Sequence, residues 1–279
     1  MKNKISIDFI GFWGGFRKND NFFYDILSED YEVIISSNPD ILIYSVFGQG
    51  HKQYNCTKIF FSGENIGPNF NECDYSMCHD WLDDERHHRL PLYILYDGYY
   101  DLINKEVTDS LVDRKFCNFI VSNGGNEVRN NFFNQLSKYK KVDSGGRFMN
   151  NIGSPVINKL EFQSDYKFSI GFENNNYRKS RIGYTTEKIM EPMRVNSIPI
   201  YWGNCEIHKD FNSKSFVNFY DFKNIEEMIE YIKFLDQNDN EYLKVLNEPW
   251  LENNEIPYFA KKENIKKFLH KIIKTVRSV

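Results

Sequence analysis

The hydrophobic positions in the first half of the chain form short runs, and residues typical of turns separate these runs. Ile5–Ile10 alternates apolar and polar side chains, the pattern of a half-buried strand. Similar β-rich runs follow at regular intervals. The pattern predicts strands over 5–10, 31–35, 41–45, 58–62 and 74–78, and a helix over about 20–28. Strands that alternate with connections of helical length indicate a parallel sheet.

The second half repeats this alternation after a stretch, residues 94–113, that reads as helix and linker. Its clearest helix begins at Asn224, which can cap the first turn, with Glu227 at the capping-box position. The pattern predicts strands over 115–122, 166–172, 198–202 and 215–220, and further helices over about 126–139 and 186–196. The chain is therefore predicted to contain two α/β halves.

The last predicted helix carries an apolar stripe on a basic segment. Residues 261–279 have a net charge of +6, whereas the rest of the chain carries −10. The stripe has helical spacing and consists of Ile265, Phe268, Leu269, Ile272, Ile273 and Val276. Two interpretations stay open: the helix packs this stripe across the domains, or it lies on an anionic membrane with its lysines at the headgroups.

Composition and charge exclude several classes of protein. The net charge of −4 argues against a nucleic-acid binder, which would carry a basic surplus. The aromatic content of 16% argues against a disordered chain. Five cysteines, none in a CxxC pair, indicate a reduced intracellular protein. No stretch reads as a signal peptide or a membrane span, so we expect a cytoplasmic, soluble protein.

A metal site is not expected. Cys73, Cys78, His79, His87 and His88 lie close in sequence, but their spacing matches no standard zinc site. The His87-His88 pair is interpreted as part of a surface loop. The absence of any Asp-x-Asp triplet argues against a sugar nucleotide held through a metal ion.

The densest polar segment covers residues 172–188, between a predicted strand and a predicted helix. A loop at the carboxyl end of a strand that leads into a helix N-terminus is suited to binding anions. Lys188 and the cluster Arg178, Lys179 and Arg181 would reinforce this. The residues alone leave open a second interpretation, a solvated basic loop before an ordinary helix.

Several motifs resemble those of the family 10 glycosyltransferases, the α-1,3- and α-1,3/4-fucosyltransferases, and the bacterial branch most of all. In the second half they are Phe172-Glu173-Asn174, Gly183-Tyr184-Thr185-Thr186-Glu187-Lys188-Ile189, Ile198-Pro199-Ile200-Tyr201-Trp202-Gly203, Lys209-Asp210-Phe211-Asn212 and Ser215-Phe216-Val217-Asn218. In the first half they are Phe61-Ser62-Gly63-Glu64-Asn65, Pro68-Asn69-Phe70 and Asp74-Tyr75. Ser122-Asn123 and Val128-Arg129-Asn130 also match, so the similarity covers roughly residues 5–250.

This resemblance implies a GT-B fold, in which two Rossmann-like domains face a central cleft. Residues 1–110 would form the acceptor-binding domain, 111–250 the GDP-fucose-binding domain, and 251–279 a basic amphipathic helix. The implied reaction moves L-fucose from GDP-β-L-fucose to a hydroxyl, with inversion to an α linkage. The expected acceptor is an oligosaccharide or glycolipid, with transfer to the 3-OH of GlcNAc or Glc in a lactosamine-like glycan. The 4-OH remains open.

The same resemblance implies roles for single residues. Glu64 would be the catalytic base, because it lies after a predicted strand in a loop where a carboxylate can face the acceptor. Arg129 and Lys188 would bind the diphosphate, and Glu187 the ribose. Two further donor-site positions, Asn174 and Tyr184, would touch the fucose or the phosphates. No cofactor is required, and a divalent metal is left open as a stimulant.

Acceptor specificity is less visible in the sequence. Trp13, Phe16, Phe70, His79 and Trp81 could stack on sugar faces, but most of the aromatic side chains are expected in the core. Two alternatives stay open: a GT-B transferase that uses another GDP-sugar, and a catalytically silent glycan-binding module. A peripheral membrane contact through residues 261–279 is expected only if the basic helix lies on a membrane.

Overall fold

Two all-parallel β-sheets form the framework of the protein, in a computed structural model that describes residues 2–174 and 182–278. The first sheet has six strands in the order β2-β1-β3-β4-β5-β6. These strands are β1 Asn3–Ile10, β2 Tyr31–Ile35, β3 Ile41–Tyr44, β4 Thr57–Ser62, β5 Tyr75–Cys78 and β6 His87–Arg89. All four residues of β3 are buried, as expected for an inner parallel strand with both faces covered.

The second sheet has five strands in the order β11-β10-β9-β7-β8. They are β7 Lys115–Phe119, β8 Val142–Ser144, β9 Tyr166–Phe172, β10 Ile198–Trp202 and β11 Val217–Asn218. Every residue of β9 and β10 is buried. Both strands end in an aromatic residue, and these two residues, Trp202 and Phe172, pair in register. The carboxyl ends of β9 and β10 therefore lie side by side.

The two segments with the clearest helical periodicity form the two longest described helices, Ile225–Gln237 and Lys262–Arg277. The seven described α-helices are α1 Phe22–Ser28, α2 Glu127–Leu136, α3 Lys159–Ser164, α4 Glu187–Arg194, α5 Ile225–Gln237, α6 Asp239–Asn247 and α7 Lys262–Arg277. The predicted cap of α5 is confirmed, since the Asn224 side chain accepts a hydrogen bond from the Glu227 N–H at 2.9 Å. Helices α3 and α6 and strands β6 and β8 were not predicted.

Two predictions about local structure are wrong. The predicted strand 215–220 is reduced to β11, because Asn212 and Asn218 side chains accept backbone N–H groups and form 3₁₀ turns on either side. The His87-His88 pair lies in β6 rather than in a surface loop, and both side chains are half-buried. One ring nitrogen of His87 lies 2.7 Å from Ser76 Oγ and the other lies 2.9 Å from the Asp80 carbonyl oxygen. Both ring nitrogens therefore have hydrogen-bond partners within the protein.

The chain divides into two units, residues 1–95 with 257–279 and residues 96–256. The division after Leu95 falls inside the expected linker 94–113, ahead of the expected boundary at residue 110. The C-terminal helix is part of the first unit rather than a segment of its own. Its stripe is buried there: Ile265, Leu269, Ile272 and Ile273 are at most 2% exposed.

Ion pairs also connect α7 to other parts of the first unit. Lys266 Nζ lies 2.7 Å from Asp30 and 2.9 Å from Glu29, and Lys271 Nζ lies 3.2 Å from Glu85. The packing interpretation of this helix therefore holds for its apolar face, within the first unit. No helix among the described residues is long and apolar enough to cross a bilayer. Within 2–174 and 182–278, no three His, Cys, Asp or Glu side chains group as a metal site requires.

Candidate donor site and catalytic carboxylate

The carboxyl end of β9 and the N-terminus of α4 meet closely in the second unit. Two glycines permit the approach. A Cβ on Gly171 would lie 2.6 Å from the Lys188 carbonyl oxygen, and a Cβ on Gly203 would lie 2.5 Å from the Glu173 side chain. Real side chains do not tolerate such distances. Gly171, inside β9, and Gly203, directly after β10, therefore allow Glu173 to lie against the start of α4.

Glu173 is fully buried and joins three elements. Its carboxylate accepts hydrogen bonds from the Thr186 N–H at 2.7 Å and from Thr186 Oγ1 at 2.7 Å. Its carbonyl accepts from the Asn126 side chain at 2.9 Å. Burial raises the pKa of Glu173, and the ammonium of Lys188 opposes that shift.

Lys188 extends from the first turn of α4 into this group. Its Nζ lies 3.0 Å from Thr186 Oγ1, 3.3 Å from Glu173 Oε2 and 3.7 Å from Glu187 Oε1. Burial favours the neutral amine, but Glu173 and Glu187 outweigh it and hold the pKa of Lys188 above its usual value. An ammonium has three donors. Among the described residues, Thr186 and Glu173 accept two of these donors, which leaves the third for a ligand.

Arg129 supplies a second cation, from α2, and its side chain is buried. Asn126 caps this helix by accepting the Arg129 N–H at 3.1 Å. The guanidinium donates to the Asn123 carbonyl and, at 3.3 Å, to Asn174 Oδ1. Burial lowers the pKa of Arg129, yet a guanidinium stays charged. Within the described residues no carboxylate forms an ion pair with it, and its Nε has no hydrogen-bond partner.

Four of the five predicted donor-site residues share this region: Arg129 contacts Asn174, and Lys188 lies beside Glu187. The Glu187 carboxylate is largely buried, and burial by itself would raise its pKa. The charges of Lys188 and Lys159 outweigh this effect and hold the pKa of Glu187 below its usual value. It is therefore an ionised acceptor, as recognition of ribose hydroxyls would require. The fifth residue, Tyr184, is 4% exposed and lies in the segment leading into α4.

A buried polar network holds that segment. Thr185 Oγ1 lies 3.2 Å from Asp210 Oδ2 and accepts from the Asn204 amide at 3.2 Å. Asn204 Oδ1 in turn accepts the Gly183 N–H at 3.0 Å. The motif around Asp210 thus anchors the backbone that precedes α4. Sequence reasoning gave neither Asn204 nor Asp210 a role, because no local signal connects them to Thr185.

Glu64 lies in the first unit, on the loop that follows β4, and its side chain is exposed. Ser62 shapes this loop: its Oγ accepts the Glu64 N–H at 3.0 Å and donates to the Glu64 carbonyl at 2.8 Å. The predicted position after a strand is confirmed. Glu64 is presented to solvent at the carboxyl edge of the sheet, where a catalytic base can reach a ligand.

The aromatic candidates differ in exposure. Trp13 and Trp81 are 42% and 38% exposed, and both follow strands of the first sheet. The buried Arg89 guanidinium lies 4.1 Å from the Trp81 ring centroid and covers part of it. Phe16 and Phe70 are half-buried, and His79 is buried, so these three belong mainly to the packing.

Sequence reasoning named Glu173 only as part of a motif and missed Asn126. The signal for Asn126 was present, since an Asn three residues before Arg129 is an N-cap pattern. The basic cluster Arg178, Lys179 and Arg181 lies outside the described residues.

Family models match both halves of the chain. Residues 7–96 match the α-(1,3)-fucosyltransferase FucT N-terminal domain, and residues 112–277 match the C-terminal region of glycosyltransferase family 10 (fucosyltransferase). The chain belongs to glycosyltransferase family 10. The second match contains the whole group around Arg129 and Lys188, and the first contains Glu64.

Individual relatives agree with this assignment. An α-(1,3)-fucosyltransferase FucT of Helicobacter pylori is 35% identical over 88% of the chain, which spans 60% of that relative's length. A crystal structure of an α1,3-fucosyltransferase superposes with a TM-score of 0.84 at 31% identity, over 100% of this chain and 91% of that one. A structure of an α1,3-fucosyltransferase with GDP-fucose gives 0.81 at 31% identity, over 99% and 91%. The predicted GT-B fold is confirmed.

Proposed function

We propose that this family 10 member is an inverting fucosyltransferase that uses GDP-β-L-fucose. The proposal takes its substrate from relatives whose names specify α-(1,3)-fucosyl transfer and from a similar structure determined with GDP-fucose. The observation that carries it is a pair of cations at the carboxyl end of β9, the buried Arg129 and the half-buried Lys188. This is the end at which parallel α/β sheets bind ligands.

The two cations differ in the way they can bind a diphosphate. Arg129 offers a planar fork, whereas Lys188 offers a point charge. In the transfer, the bond between the fucose anomeric carbon and the diphosphate oxygen breaks, and the electron pair leaves with GDP. Arg129 and Lys188 would offset the charge that develops on this leaving group. Glu187 would accept hydrogen bonds from the ribose hydroxyls.

Glu64 is proposed as the base. The acceptor hydroxyl oxygen attacks the anomeric carbon opposite the leaving diphosphate and forms the new bond with inversion. Its proton passes to the Glu64 carboxylate. The exposed position of Glu64 in a backbone turn fixed by Ser62 supports this assignment.

The donor assignment is tested by incubating the protein with GDP-fucose or GDP-mannose and lactosamine, then measuring GDP release. We expect release with GDP-fucose only, and Lys188→Ala should bind GDP about tenfold or more weakly, because charge-assisted hydrogen bonds contribute about 1.5–3 kcal/mol. A preference for GDP-mannose would favour the alternative GT-B transferase. Tight GDP binding without turnover of any donor would favour the silent glycan-binding module.

The acceptor is proposed to be a lactosamine-like oligosaccharide or glycolipid, fucosylated at the 3-OH of GlcNAc or Glc. Such products would belong to lipopolysaccharide or protein glycosylation. We propose that the reaction needs no metal cofactor, and a parallel assay with EDTA tests this. Undiminished turnover is expected, whereas a loss that Mg²⁺ restores would show a metal requirement or stimulation.

A cytoplasmic location with peripheral membrane contact is the remaining proposal. Because the apolar stripe of α7 is buried, such contact would depend on charge alone. Lys267 and Lys274 are exposed on α7 and suit this role. Sedimentation with phosphatidylserine vesicles should detect binding that Lys267→Glu with Lys274→Glu removes. Equal sedimentation of both proteins would exclude α7 from membrane contact.

A further inference from the structure

Glu173 carries an ionisable carboxylate at a fully buried position. An isolated buried carboxylate is costly, so a buried charge is normally paired. Glu173 has one cationic neighbour at ion-pair distance among the described residues, the ammonium of Lys188 at 3.3 Å. Its backbone is held from two sides: its N–H donates to the Trp202 carbonyl at 2.8 Å, and its carbonyl accepts from Asn126 at 2.9 Å. The carboxylate is therefore rigidly placed.

The carboxylate also completes the N-terminus of α4 from another element. In a capping box, a Glu in the third helical position accepts the N–H of the capping residue. Here the capping residue is Thr186, and the carboxylate that accepts its N–H at 2.7 Å comes from the end of β9. The Thr186 hydroxyl makes no cap of its own and instead bridges Glu173 and Lys188. Glu173, Thr186 and Lys188 thus form one connected unit.

The charges around Lys188 come from three elements. Glu173 follows β9, Glu187 is the residue before Lys188 on α4, and Arg129 lies on α2. Arg129 and burial both favour loss of the Lys188 proton, whereas the two carboxylates favour its retention. Of the two, Glu173 is closer to Nζ, at 3.3 Å against 3.7 Å for Glu187. Glu187 is also the group assigned to ribose, so it would be shared when a nucleotide binds.

We propose that Glu173 is a positioning residue of the transfer reaction, which keeps Lys188 protonated and holds its ammonium where the diphosphate of the donor binds. It touches neither substrate nor reacting atoms. This inference rests on the proposed function, because it takes the ligand of Lys188 to be a nucleoside diphosphate. It differs from a purely structural role in that it connects Glu173 to the protonation state of another side chain.

The test measures GDP binding by calorimetry from pH 7 to pH 11 in wild type and in Glu173→Gln. Glutamine keeps the shape of the side chain and an acceptor for the Thr186 N–H but removes the charge. We expect the GDP affinity of both proteins to fall as the pH rises, with the midpoint of the fall about one pH unit or more lower in the variant than in wild type. Without the Glu173 charge, burial lowers the pKa of Lys188, and the ammonium loses its proton at a lower pH. Glu173→Asp, which keeps the charge, should restore the wild-type midpoint even if its turnover is low.

The double variant Glu173→Gln with Lys188→Arg identifies the titrating group. Arginine does not titrate in this range, so the early loss of affinity seen in Glu173→Gln should disappear. The proposal is overturned if Glu173→Gln binds GDP with the wild-type pH profile, or if the double variant keeps the early loss of affinity. Should Glu173→Gln not fold, Glu173→Asp decides instead: its midpoint must stay with wild type, and a midpoint shifted downward refutes the role. Failure of wild type to bind GDP would instead refute the proposed function.

Discussion

Thr185→Val is a near-isosteric change whose effect can be worked out from the structure. The Thr185 side chain is 1% exposed, and its hydroxyl lies 3.2 Å from a carboxylate oxygen of Asp210 and 3.2 Å from the Asn204 amide. Valine removes the hydroxyl and leaves Asp210 without that donor. A hydrogen bond to a charged group contributes about 1.5–3 kcal/mol. The additional buried methyl recovers about 0.8 kcal/mol.

We therefore expect Thr185→Val to lower the free energy of unfolding by about 1–2 kcal/mol, which is about 5–30-fold in the folding equilibrium. Urea denaturation followed by circular dichroism measures this directly. Thr108→Val is the matched control, because Thr108 is exposed and its hydroxyl lies 2.9 Å from another exposed hydroxyl, that of Ser110. The control should change stability by less than about 0.5 kcal/mol. A Thr185→Val protein as stable as the control would refute the network as an anchor of this segment.

Three further predictions concern the two units separately. Glu64→Gln should leave the calorimetric Kd for GDP near wild type and lower kcat about a hundredfold or more, since a positioned base contributes about 10²–10⁴-fold; near-full turnover would remove Glu64 from the role. Arg129→Lys should weaken GDP binding about tenfold or more, because the ammonium cannot keep both the Asn123 and Asn174 contacts and a fork for phosphate; an unchanged Kd would contradict this. Burial lowers the pKa of Lys105 from 10.5 to about 7. Between about pH 7 and pH 10 the folded state therefore binds fewer protons than the unfolded state, and the free energy of unfolding should rise with pH. Lys105→Met should flatten that rise in the Tm, and equal pH slopes would refute the assignment.

Much of the framework could be predicted because its strands are short, buried and parallel. The strands 31–35, 166–172 and 198–202 match their predicted bounds, since continuous β-branched and aromatic runs between turn residues have few other conformations. The site could be predicted in part, because Glu187 and Lys188 share the start of one helix. By contrast, β6 and β8 have only three residues each, too few for periodicity to show.

Contacts distant in sequence account for the rest. Nothing near Glu173 indicates that its carboxylate would complete the N-terminus of a helix 14 residues later in the chain. The same holds for Thr185 and Asp210, which the fold brings together across 25 residues. The stripe of α7 showed that this helix must be covered, but its amphipathic pattern fits a protein surface as well as a membrane. Only the packing in the first unit decides for the protein surface.

We have proposed that this chain transfers fucose with inversion to form an α linkage. The most direct test of this proposal is NMR analysis of the product from purified protein, GDP-fucose and N-acetyllactosamine. We expect a fucosylated trisaccharide with one new anomeric signal of α configuration, linked to the 3-OH of GlcNAc. A β-linked product, or an unmodified acceptor with intact GDP-fucose beside an active reference fucosyltransferase, would contradict it.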